Sequence, residues 1–390
     1  MIVSSFEEQL EDLLNFDISN IIAHNRSRFD ELAGSFGDSI VLFGAGPLGR
    51  KTLLGLRSLN IVPLAFADNN PSLWNTSIEG LNVLAPNEAV GKFGNNAVFV
   101  VTIYNGSAVR RQLRGMGCKI ALPFAYLFWK YHKIFLPHGG LDLPNSIYAQ
   151  AEDVKRALSL WADDSSKIEY LAQLRWRLLL DFDSLPAHLP ASETYFPGDL
   201  VSLSDDEIFV DCGAFDGDTI KNFLRRREAS FGKVVAIEPD PANYKKLQEF
   251  IPKLPAEIRG KVISFQFAVG AIRGKVPFAA DGTMGSIINK NGNIMIECAR
   301  LDDIFRDYLP TYVKLDIEGA EPQALIGAKR LIEQNSTVWV VCVYHQQDHL
   351  WKIPLYINSL SGDYRIFLRR YAEECWETVC YAIPAGRIGV

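Results

Sequence analysis

The sequence predicts an α/β protein made of two Rossmann-like units joined by a helical connector. Short apolar strand segments alternate with helical segments in two separate parts of the chain, and each series begins with a strand that runs into a glycine-rich turn. A chain of 390 residues is also too long for one ordinary hydrophobic core. We therefore expect two domains, each with a mainly parallel sheet and a ligand site at the carboxyl ends of its strands.

The composition is that of a globular protein, with 48% hydrophobic and 22% charged residues. A net charge of -6 lacks the basic excess with which a general nucleic-acid binder neutralises phosphates. The six cysteines are scattered without a C-x-x-C pair, which favours reduced thiols in a cytosolic protein. The acidic N-terminus is unlike a secretory signal, and no uncharged run reaches the roughly 20 residues that span a bilayer. The sequence predicts a cytoplasmic protein without a membrane span.

The first 125 residues divide into two predicted parts. Residues 1–35 are expected to form one or two helices, because leucine and isoleucine recur there at helical spacing. Residues 36–125 are expected to form a Rossmann-like unit, with a strand, a glycine turn, a helix and a second strand that ends at Asp68. Further strands follow, and the apolar run from Ile120 to Trp129 is expected to be a buried strand and turn.

The glycine turn of this unit is a complete G-x-G-x-x-G motif, formed by Gly44, Gly46 and Gly49. Asp68 follows 19 residues after Gly49 at a predicted strand end, as in dinucleotide-binding fingerprints. A helix N-terminus beside such a turn carries unpaired N–H groups and a partial positive charge, which favour a pyrophosphate. The motif predicts a nucleotide or nucleotide-sugar site; the alternative is a Rossmann scaffold that binds no ligand there.

Residues 126–200 are predicted to be a helical connector, and residues 201–390 a second α/β domain. In the connector, the sequence Asp163-Asp164-Ser165-Ser166 predicts a break between two helices. In the second domain, strands are predicted at IFVDCG, KVVAIEPD, VISFQFAVG, YVKLDIEGA and TVWVVCVYH. The two apolar segments near the C-terminus are predicted to pair as a hairpin at the edge of the sheet.

The glycine loop of the second domain, FVDCGAFDGDTI, differs from the first because it contains Asp211, Asp216 and Asp218. A phosphate about 4 Å from such carboxylates would be disfavoured by several kcal/mol at an effective dielectric constant of about 20. S-adenosylmethionine (SAM) has no phosphate, and its sulfonium and amino groups can face carboxylates. Its own carboxylate can lie at the helix N-terminus, and Gly213 is expected to let the backbone approach the ligand closely. The loop therefore predicts a SAM site.

Glu238 supports a SAM site in the second domain. It ends the next predicted strand, 25 residues after Gly213. A carboxylate at this position can accept hydrogen bonds from both ribose hydroxyls. The alternative is a solvated glutamate before the turn at Pro239.

Successive motifs of the second domain carry a family resemblance. The segments FVDCGAFDGDT, AIEPDP, FAVG, ARLDDI and VKLDIEGAE, within about residues 205–345, resemble the FkbM-type SAM-dependent methyltransferases. The resemblance implies a class I SAM-methyltransferase fold for residues 201–390 and O-methylation of a hydroxyl on a sugar, glycan or related metabolite. The segments GAGPLGR, FADNNP and GLNVLAP of the first domain resemble a Rossmann-like nucleotide-sugar-binding domain of bacterial sugar-modifying enzymes.

The FkbM resemblance also implies which residues hold SAM. The residues expected along the methionine part are Asp211, Gly213, Ala214, Phe215 and Gly217. The ribose is expected at Glu238. The residues expected around the adenine are Pro239, Asp240, Ala268 and Val269. The stretch DGTMGSIINKNG fits no spacing that would assign a role to Ser286.

Methyl transfer to a hydroxyl requires alignment of the two groups and removal of the hydroxyl proton. Asp316 and His345 end two predicted strands, so both are expected at one edge of the sheet, near the transferred methyl group. His345 could act as the general base, oriented by a carboxylate. Alternatively, Asp316, Glu318 and His345 could hold a divalent cation that acidifies the hydroxyl. The sequence does not decide between these mechanisms.

Two other functions compete with methyl transfer. An NAD-linked oxidoreductase would use the first glycine loop, but the first domain shows no convincing set of residues for hydride transfer. A non-catalytic protein could bind a nucleotide or SAM only to regulate assembly. The expected partner is a small-molecule or glycan acceptor, with a nucleotide-sugar at the first domain as a further hypothesis. The sequence predicts no oligomeric state.

Overall fold

The computed structural model describes residues 4–280, 282–283 and 285–389, and it confirms the predicted α/β class with two mainly parallel sheets. Two helices come first, α1 (Phe6–Leu14) and α2 (Ile18–Ala33). Their starts follow local capping rules. The Ser5 hydroxyl accepts a hydrogen bond from the Glu8 N–H while the Glu8 carboxylate accepts one from the Ser5 N–H, and Asp17 caps α2 in a similar way.

The first sheet has six strands, which are β1 (Ile40–Phe43), β2 (Ala65–Ala67), β3 (Ser77–Ile78), β4 (Leu81–Leu84), β5 (Val98–Val101) and β6 (Ile120–Pro123). Their order is β3-β4-β2-β1-β5-β6, and all pairs are parallel except β3 with β4. The connecting helices are α3 (Pro47–Ser58), α4 (Pro86–Phe93) and α5 (Ser107–Gly115). The glycine loop follows β1, where the strand order reverses direction, and this is the usual ligand position of such a sheet.

The run from Ile120 to Trp129 is not a strand and turn, as predicted, but strand β6 followed directly by a helix, α6 (Phe124–Lys130). Pro123 lies at the N-cap position of this helix, where its fixed φ is acceptable. Phe124, Leu127 and Phe128 are fully or almost fully buried, and α6 packs against α2. Helical packing of these aromatic residues therefore replaces the predicted turn.

The following segment is helical, with α7 (His132–Phe135), α8 (Asn145–Ala149), α9 (Ala151–Leu160) and α10 (Asp164–Leu179). Asp163 separates α9 from α10, and its Oδ1 accepts a 2.8 Å hydrogen bond from the Ser166 N–H, so the predicted helix break is confirmed. Helix α10 packs on the edge strand of the second sheet, and Trp161 forms a bridge with Ile366 of that strand. Helix α10 thus forms part of the layer that covers the second sheet.

The second sheet has seven strands, which are β7 (Ile208–Cys212), β8 (Lys233–Ile237), β9 (Val262–Phe265), β14 (Tyr312–Leu315), β15 (Val338–Cys342), β16 (Tyr364–Arg370) and β17 (Thr378–Pro384). Their order is β16-β17-β15-β14-β7-β8-β9. The first five in chain order pair in parallel, whereas β17 is antiparallel to both β15 and β16. The C-terminal hairpin is therefore at the sheet edge, as predicted. The helices of this domain are α11 (Asp218–Arg227), α12 (Pro241–Phe250), α13 (Ala256–Arg259), α14 (Leu301–Ile304), α15 (Glu321–Ile326), α16 (Lys329–Glu333) and α17 (His349–Leu360).

A small four-stranded sheet is inserted between β9 and β14, with strands β10 (Ala268–Val269), β11 (Gly274–Ala279), β12 (Ile287–Ile288) and β13 (Ile294–Ala299). The predicted single strand VISFQFAVG is therefore two strands. Its first half, β9, pairs with β8, whereas its second half, β10, pairs with β13 of the small sheet. Within the described residues, no helix has the length and hydropathy to cross a membrane.

Candidate active site

A cavity of about 1100 Å³, called the chamber below, is lined by residues of both sheets. Gly44 and Gly46 after β1 line it, and so do Gly213 after β7 and Asp316 after β14. All of these residues follow the carboxyl ends of parallel strands, which is where ligands bind in such sheets. One chamber therefore contains the sites predicted separately for the two domains.

The chamber brings together most of the residues predicted from the sequence. Those that line it are Gly44, Gly46, Asp68, Gly213, Phe215, Glu238, Pro239, Ala268, Val269, Asp316 and His345. Those that do not line it are Gly49, Asp211, Ala214, Gly217 and Asp240. The second group lies in the same motifs but shapes the backbone instead of facing the cavity.

Gly213 has a left-handed backbone, with a φ of +83°, which favours glycine. A Cβ at this position would lie 1.9 Å from the carbonyl oxygen of Asp316. The predicted reason for this glycine, close approach to a ligand, is therefore incomplete. Glycine is required because the ends of β7 and β14 touch here.

Asp211 is completely buried and forms an ion pair with Lys314 of the neighbouring strand. The Lys314 Nζ lies 2.9 Å from Asp211 Oδ1 and donates a second hydrogen bond, also 2.9 Å long, to the Gly213 carbonyl. Burial raises the pKa of Asp211 to about 6, although the charge of Lys314 opposes this shift. Asp211 therefore holds the loop through Lys314.

Of the three aspartates that the sequence places around the ligand, the structure puts only Asp218 at the chamber lining. Asp211 is neutralised by Lys314, and Asp216 lies outside the chamber lining with an oxygen 3.5 Å from the Lys221 ammonium. Asp218 lines the chamber, and its Oδ1 accepts a hydrogen bond from the Thr219 N–H. The negative charge that this loop presents to the chamber is consequently smaller than the sequence suggests.

Glu238 is buried at the chamber wall, and both of its oxygens accept backbone hydrogen bonds. Oε2 accepts from the Phe215 N–H at 2.8 Å, and Oε1 accepts from the Asp240 N–H at 2.9 Å. Burial raises the pKa of Glu238 to about 7, against the lowering effect of these hydrogen bonds. Each carboxylate oxygen keeps a further lone pair with which to accept a ligand hydroxyl.

Asp68 has the same arrangement in the first domain. Its Oδ2 accepts from the Ala45 N–H at 2.8 Å, and its Oδ1 accepts from the Asn70 N–H at 2.8 Å. In both domains the acid at the end of the second strand fastens the glycine loop that follows the first strand. This shared role is structural, and the lone pairs that remain can still serve a ligand.

Asp240 is a helix cap that also fixes the small-sheet segment next to the chamber. Its Oδ1 accepts from the N–H groups of Ala242 and Asn243 at the start of α12. Its Oδ2 accepts from the Gly282 N–H at 3.1 Å and from the Ser286 hydroxyl at 2.7 Å. Ser286, for which the sequence indicated no role, therefore helps to hold the chamber wall.

Asp316 lies at the centre of a polar cluster at the ends of β14 and β15. Its Oδ2 accepts a 2.8 Å hydrogen bond from the Tyr195 hydroxyl, and its Oδ1 lies 3.4 Å from His345 Nε2. Burial alone would raise its pKa, but the charges of Lys314 and His345 hold it below its usual value. The pairing with Tyr195 was not predictable, because that residue precedes the domain's first strand by more than ten positions.

His345 contacts several carboxylates. Its Nδ1 lies 2.8 Å from Glu321 Oε1, and its Nε2 lies 3.6 Å from Glu318 Oε2. Burial alone would lower the pKa of His345, but Glu321, Glu318 and Asp316 raise it to about 10. Burial also raises the pKa of Glu318 and Glu377, both at the chamber wall, to about 7. The cluster is thus rich in carboxylates gathered around one imidazole.

Three more chamber residues were not singled out as ligands from the sequence: Lys51 and Tyr104 of the first domain and His138 of the helical connector. The Lys51 ammonium lies 3.1 Å from His138 Nδ1, and His138 Nε2 lies 3.1 Å from the Tyr104 hydroxyl. Burial, together with the Lys51 charge, lowers the pKa of His138 to about 3, so the imidazole is neutral. A lysine only donates, so Nδ1 accepts and Nε2–H donates to Tyr104. The Tyr104 proton then remains to be donated to a chamber ligand.

Comparison with known proteins identifies the second domain. Residues 211–375 match the family model of the methyltransferase FkbM domain. The chain contains an FkbM-type methyltransferase domain. The predicted family resemblance is confirmed, and the protein is a SAM-dependent methyltransferase. The chain matches none of the curated proteins with which it was compared.

Solved structures show that the fold of this methyltransferase extends over nearly the whole chain. The methyltransferase FkbM from Methylobacillus flagellatus KT is 22% identical, covers 97% of this chain and 99% of its own, and superposes with a TM-score of 0.73. Two weaker likenesses are human N-acetylserotonin methyltransferase in complex with SAM and the UDP-D-quinovosamine 4-dehydrogenase from Vibrio fischeri. The first is 11% identical over 94% of each chain with a TM-score of 0.25. The second is 17% identical over 22% of this chain and 77% of its own with a TM-score of 0.19. Only the TM-score of the Methylobacillus flagellatus protein is high enough to define a common fold.

Proposed function

We propose that this methyltransferase transfers the methyl group of SAM to a hydroxyl oxygen of a sugar, glycan or related metabolite. One observation carries the proposal. A single chamber contains Glu238 after β8, the glycine loop after β7 and the Asp316–His345 cluster after β14 and β15. In our proposal, Glu238 accepts hydrogen bonds from the ribose and the glycine loop admits the methionine part of SAM. The acids of the Asp316–His345 cluster, next along the same sheet edge, lie beside the transferred methyl group.

The SAM site that we propose uses the chamber-lining residues directly and the other motif residues as support. The methionine part lies against Gly213 and Phe215, with Asp218 near its amino group. The ribose hydroxyls bind Glu238, and the adenine lies beside Pro239, Ala268 and Val269. The supporting residues, which set the shape of this wall, are Asp211, Ala214, Gly217 and Asp240. SAM supplies the electrophilic methyl group when it is bound.

In the proposed reaction the acceptor oxygen attacks the methyl carbon in line with the carbon–sulfur bond. The new C–O bond forms as the C–S bond breaks, and the sulfonium becomes the neutral thioether of S-adenosylhomocysteine. The hydroxyl must lose its proton, and a positioned group near it accelerates this loss. Asp316 and His345 are the groups that we assign to this task.

The surroundings of His345 argue against the general-base mechanism. An imidazole whose pKa is raised to about 10 is already protonated near neutral pH and cannot accept a proton. Asp316, whose pKa is held below its usual value, is a weak base as well. The other predicted mechanism, in which the cluster holds a cation that acidifies the hydroxyl, needs no free base on the protein.

The first domain supports a role in binding the acceptor. Gly44 and Gly46 of its glycine loop line the chamber together with Asp68, and Tyr104 offers a hydrogen-bond donor there. Gly49 does not line the chamber; it packs against the Gly44 carbonyl behind this wall. We infer that a nucleotide-sugar or another sugar-bearing acceptor lies against this wall, with its hydroxyl toward Asp316. The six cysteines are all buried and unpaired, which fits the reducing cytoplasm in which we place the enzyme.

Transfer of the labelled methyl group from SAM to a panel of sugar nucleotides and glycan extracts tests this proposal. The full-length protein should label at least one hydroxyl compound, and alkaline-stable label is expected because an ether resists base. Glu238→Ala should abolish SAM binding in calorimetry while the protein stays folded. Glu249→Ala, on the exposed face of α12, is the matched control and should bind SAM normally. Unchanged SAM affinity in Glu238→Ala would refute the assigned site.

A further inference from the structure

We propose that Asp316, Glu318 and His345 form a binding site for a divalent transition-metal cation, to which the acceptor hydroxyl binds during methyl transfer. The metal-binding part of this inference stands on geometry alone, whereas the role in the reaction rests on the proposed function. The three side chains come from the ends of β14 and β15 and line one end of the chamber.

The spacing of the three side chains is that of metal ligands. One ligand atom from each residue lies within 4.8 Å of the others. His345 Nε2 is 3.4 Å from Asp316 Oδ1 and 3.6 Å from Glu318 Oε2. Atoms that bind one ion at about 2.1 Å in a tetrahedral arrangement are separated by about 3.4 Å. The separations are also longer than good hydrogen bonds, so direct contact does not explain them.

The His345 imidazole provides an independent indication of a missing ligand. Its side chain is only 6% exposed, yet Nε2 forms no hydrogen bond with any of the described residues. Its nearest acidic neighbours are the carboxylates of Asp316 and Glu318, 3.4 Å and 3.6 Å away. A buried polar atom of this kind normally has a partner, and a cation between the three groups would supply one.

Glu321 orients the imidazole as the outer carboxylate of a metal-bound histidine does. His345 Nδ1 lies 2.8 Å from Glu321 Oε1, and the same oxygen accepts a 2.9 Å hydrogen bond from the Ile317 N–H. Binding of a cation displaces the proton from Nε2, and the Glu321 carboxylate, which accepts the Nδ1 proton, then fixes the tautomer in which Nε2 carries the lone pair. That lone pair then faces the cation site.

The two carboxylates are also held in place. The Tyr195 hydroxyl binds the second oxygen of Asp316 at 2.8 Å, which leaves Oδ1 toward His345. Glu318 has a left-handed backbone with a φ of +55°, a strained conformation for a residue with a side chain. Strain of this kind is typical of functional positions, and here it accompanies a carboxylate that faces the same point as Asp316.

The donor set selects the class of cation. Two carboxylate oxygens and one imidazole nitrogen suit Mn²⁺, Fe²⁺ or Zn²⁺ better than Ca²⁺, which prefers a shell of six to eight oxygens. Three protein ligands leave open positions toward the chamber. An acceptor hydroxyl bound there loses its proton to water more readily, and its oxygen then attacks the SAM methyl carbon as the C–S bond breaks. The oxidation state of the cation does not change.

Titration of the chelator-treated, full-length protein with Mn²⁺ in the absence of SAM tests the site, with free Mn²⁺ measured by electron paramagnetic resonance. We expect one Mn²⁺ per chain. Asp316→Asn and Glu318→Gln, which keep the side-chain shape, should each weaken binding at least tenfold. Asp216→Asn removes the same charge outside the chamber and should bind like the wild type. Failure of the wild type to bind Mn²⁺ or Zn²⁺, or wild-type affinity in Glu318→Gln, would overturn the proposal.

A second measurement separates this inference from the proposed function. Methyl transfer is assayed in excess EDTA and after Mn²⁺ is restored, and SAM binding is measured in the metal-free protein. Loss of turnover with EDTA and its recovery with Mn²⁺ are expected, with SAM binding retained throughout. Full turnover in EDTA would overturn the metal site and leave the methyltransferase function intact. One bound Mn²⁺ in a protein that binds no SAM would support the site and contradict the function.

Discussion

The ammonium group of Lys314 lies 2.9 Å from the carboxylate of Asp211, and both side chains are buried between two adjacent strands. Removal of one partner leaves an unpaired buried charge, which typically destabilises a protein by about 3–5 kcal/mol. We therefore expect Lys314→Met to lower the free energy of unfolding by about this amount in urea denaturation. Lys275→Met breaks an exposed pair with Glu297 and should cost about 1 kcal/mol or less. Equal effects of the two substitutions would contradict the assigned role of the Asp211–Lys314 pair.

The raised pKa of Glu238, about 7, predicts that SAM affinity depends on pH. Only the ionised carboxylate can accept hydrogen bonds from both ribose hydroxyls, so a proton on Glu238 competes with SAM. The affinity should therefore rise about tenfold between pH 6 and pH 8, as the group ionises. Calorimetry at the two pH values measures this change. Glu238→Gln should bind SAM weakly and without this pH dependence, and an unchanged slope would assign the titration to another group.

Glu321 should control metal affinity without touching the cation. Glu321→Gln weakens the acceptor for the His345 Nδ1 proton, and such outer carboxylates typically contribute about 10- to 100-fold in affinity. We expect Mn²⁺ binding to weaken by about this factor in the titration described above. Glu333→Gln, at an exposed position of α16, is the control. Wild-type affinity in Glu321→Gln would mean that Glu321 only stabilises the fold.

Tyr104 should affect the binding of the acceptor and not the binding of SAM. Its hydroxyl proton remains for a chamber ligand, and a neutral hydrogen bond contributes about 0.5–1.5 kcal/mol. Tyr104→Phe should raise the KM for the acceptor by about threefold to tenfold and leave the SAM dissociation constant unchanged. Tyr126→Phe, in helix α6 and outside the chamber lining, should change neither value. A change in SAM affinity alone would indicate that Tyr104 contacts SAM and not the acceptor.

Much of this site follows from rules that act locally along the chain. Periodic apolar segments predict the strands, and the carboxyl-end rule places Glu238, Asp316 and His345 at one edge without any knowledge of distance. The same rules give no information on which side chains pair across neighbouring strands. The charge of Asp211 is paired with that of Lys314, which lies 103 positions away in the sequence, and this pairing could not be predicted from the aspartate loop alone.

The other differences between the predicted and the observed structure also have specific causes. The division of VISFQFAVG between two sheets depends on the partner strands, β8 and β13, and not on its own composition. The contribution of Tyr104 and His138 depends on how the two domains meet around the chamber. Neither fact is encoded by spacing within a single segment.

The chamber has one wall from each domain, and under the function that we propose this arrangement separates the choice of methyl donor from the choice of methyl acceptor. The donor wall is fixed by Glu238 and its two backbone hydrogen bonds. The other wall, around Gly44 and Tyr104, is built from a different part of the chain. New acceptor specificities could thus arise by exchange or drift of the first domain alone, while the methyl-transfer chemistry is inherited unchanged.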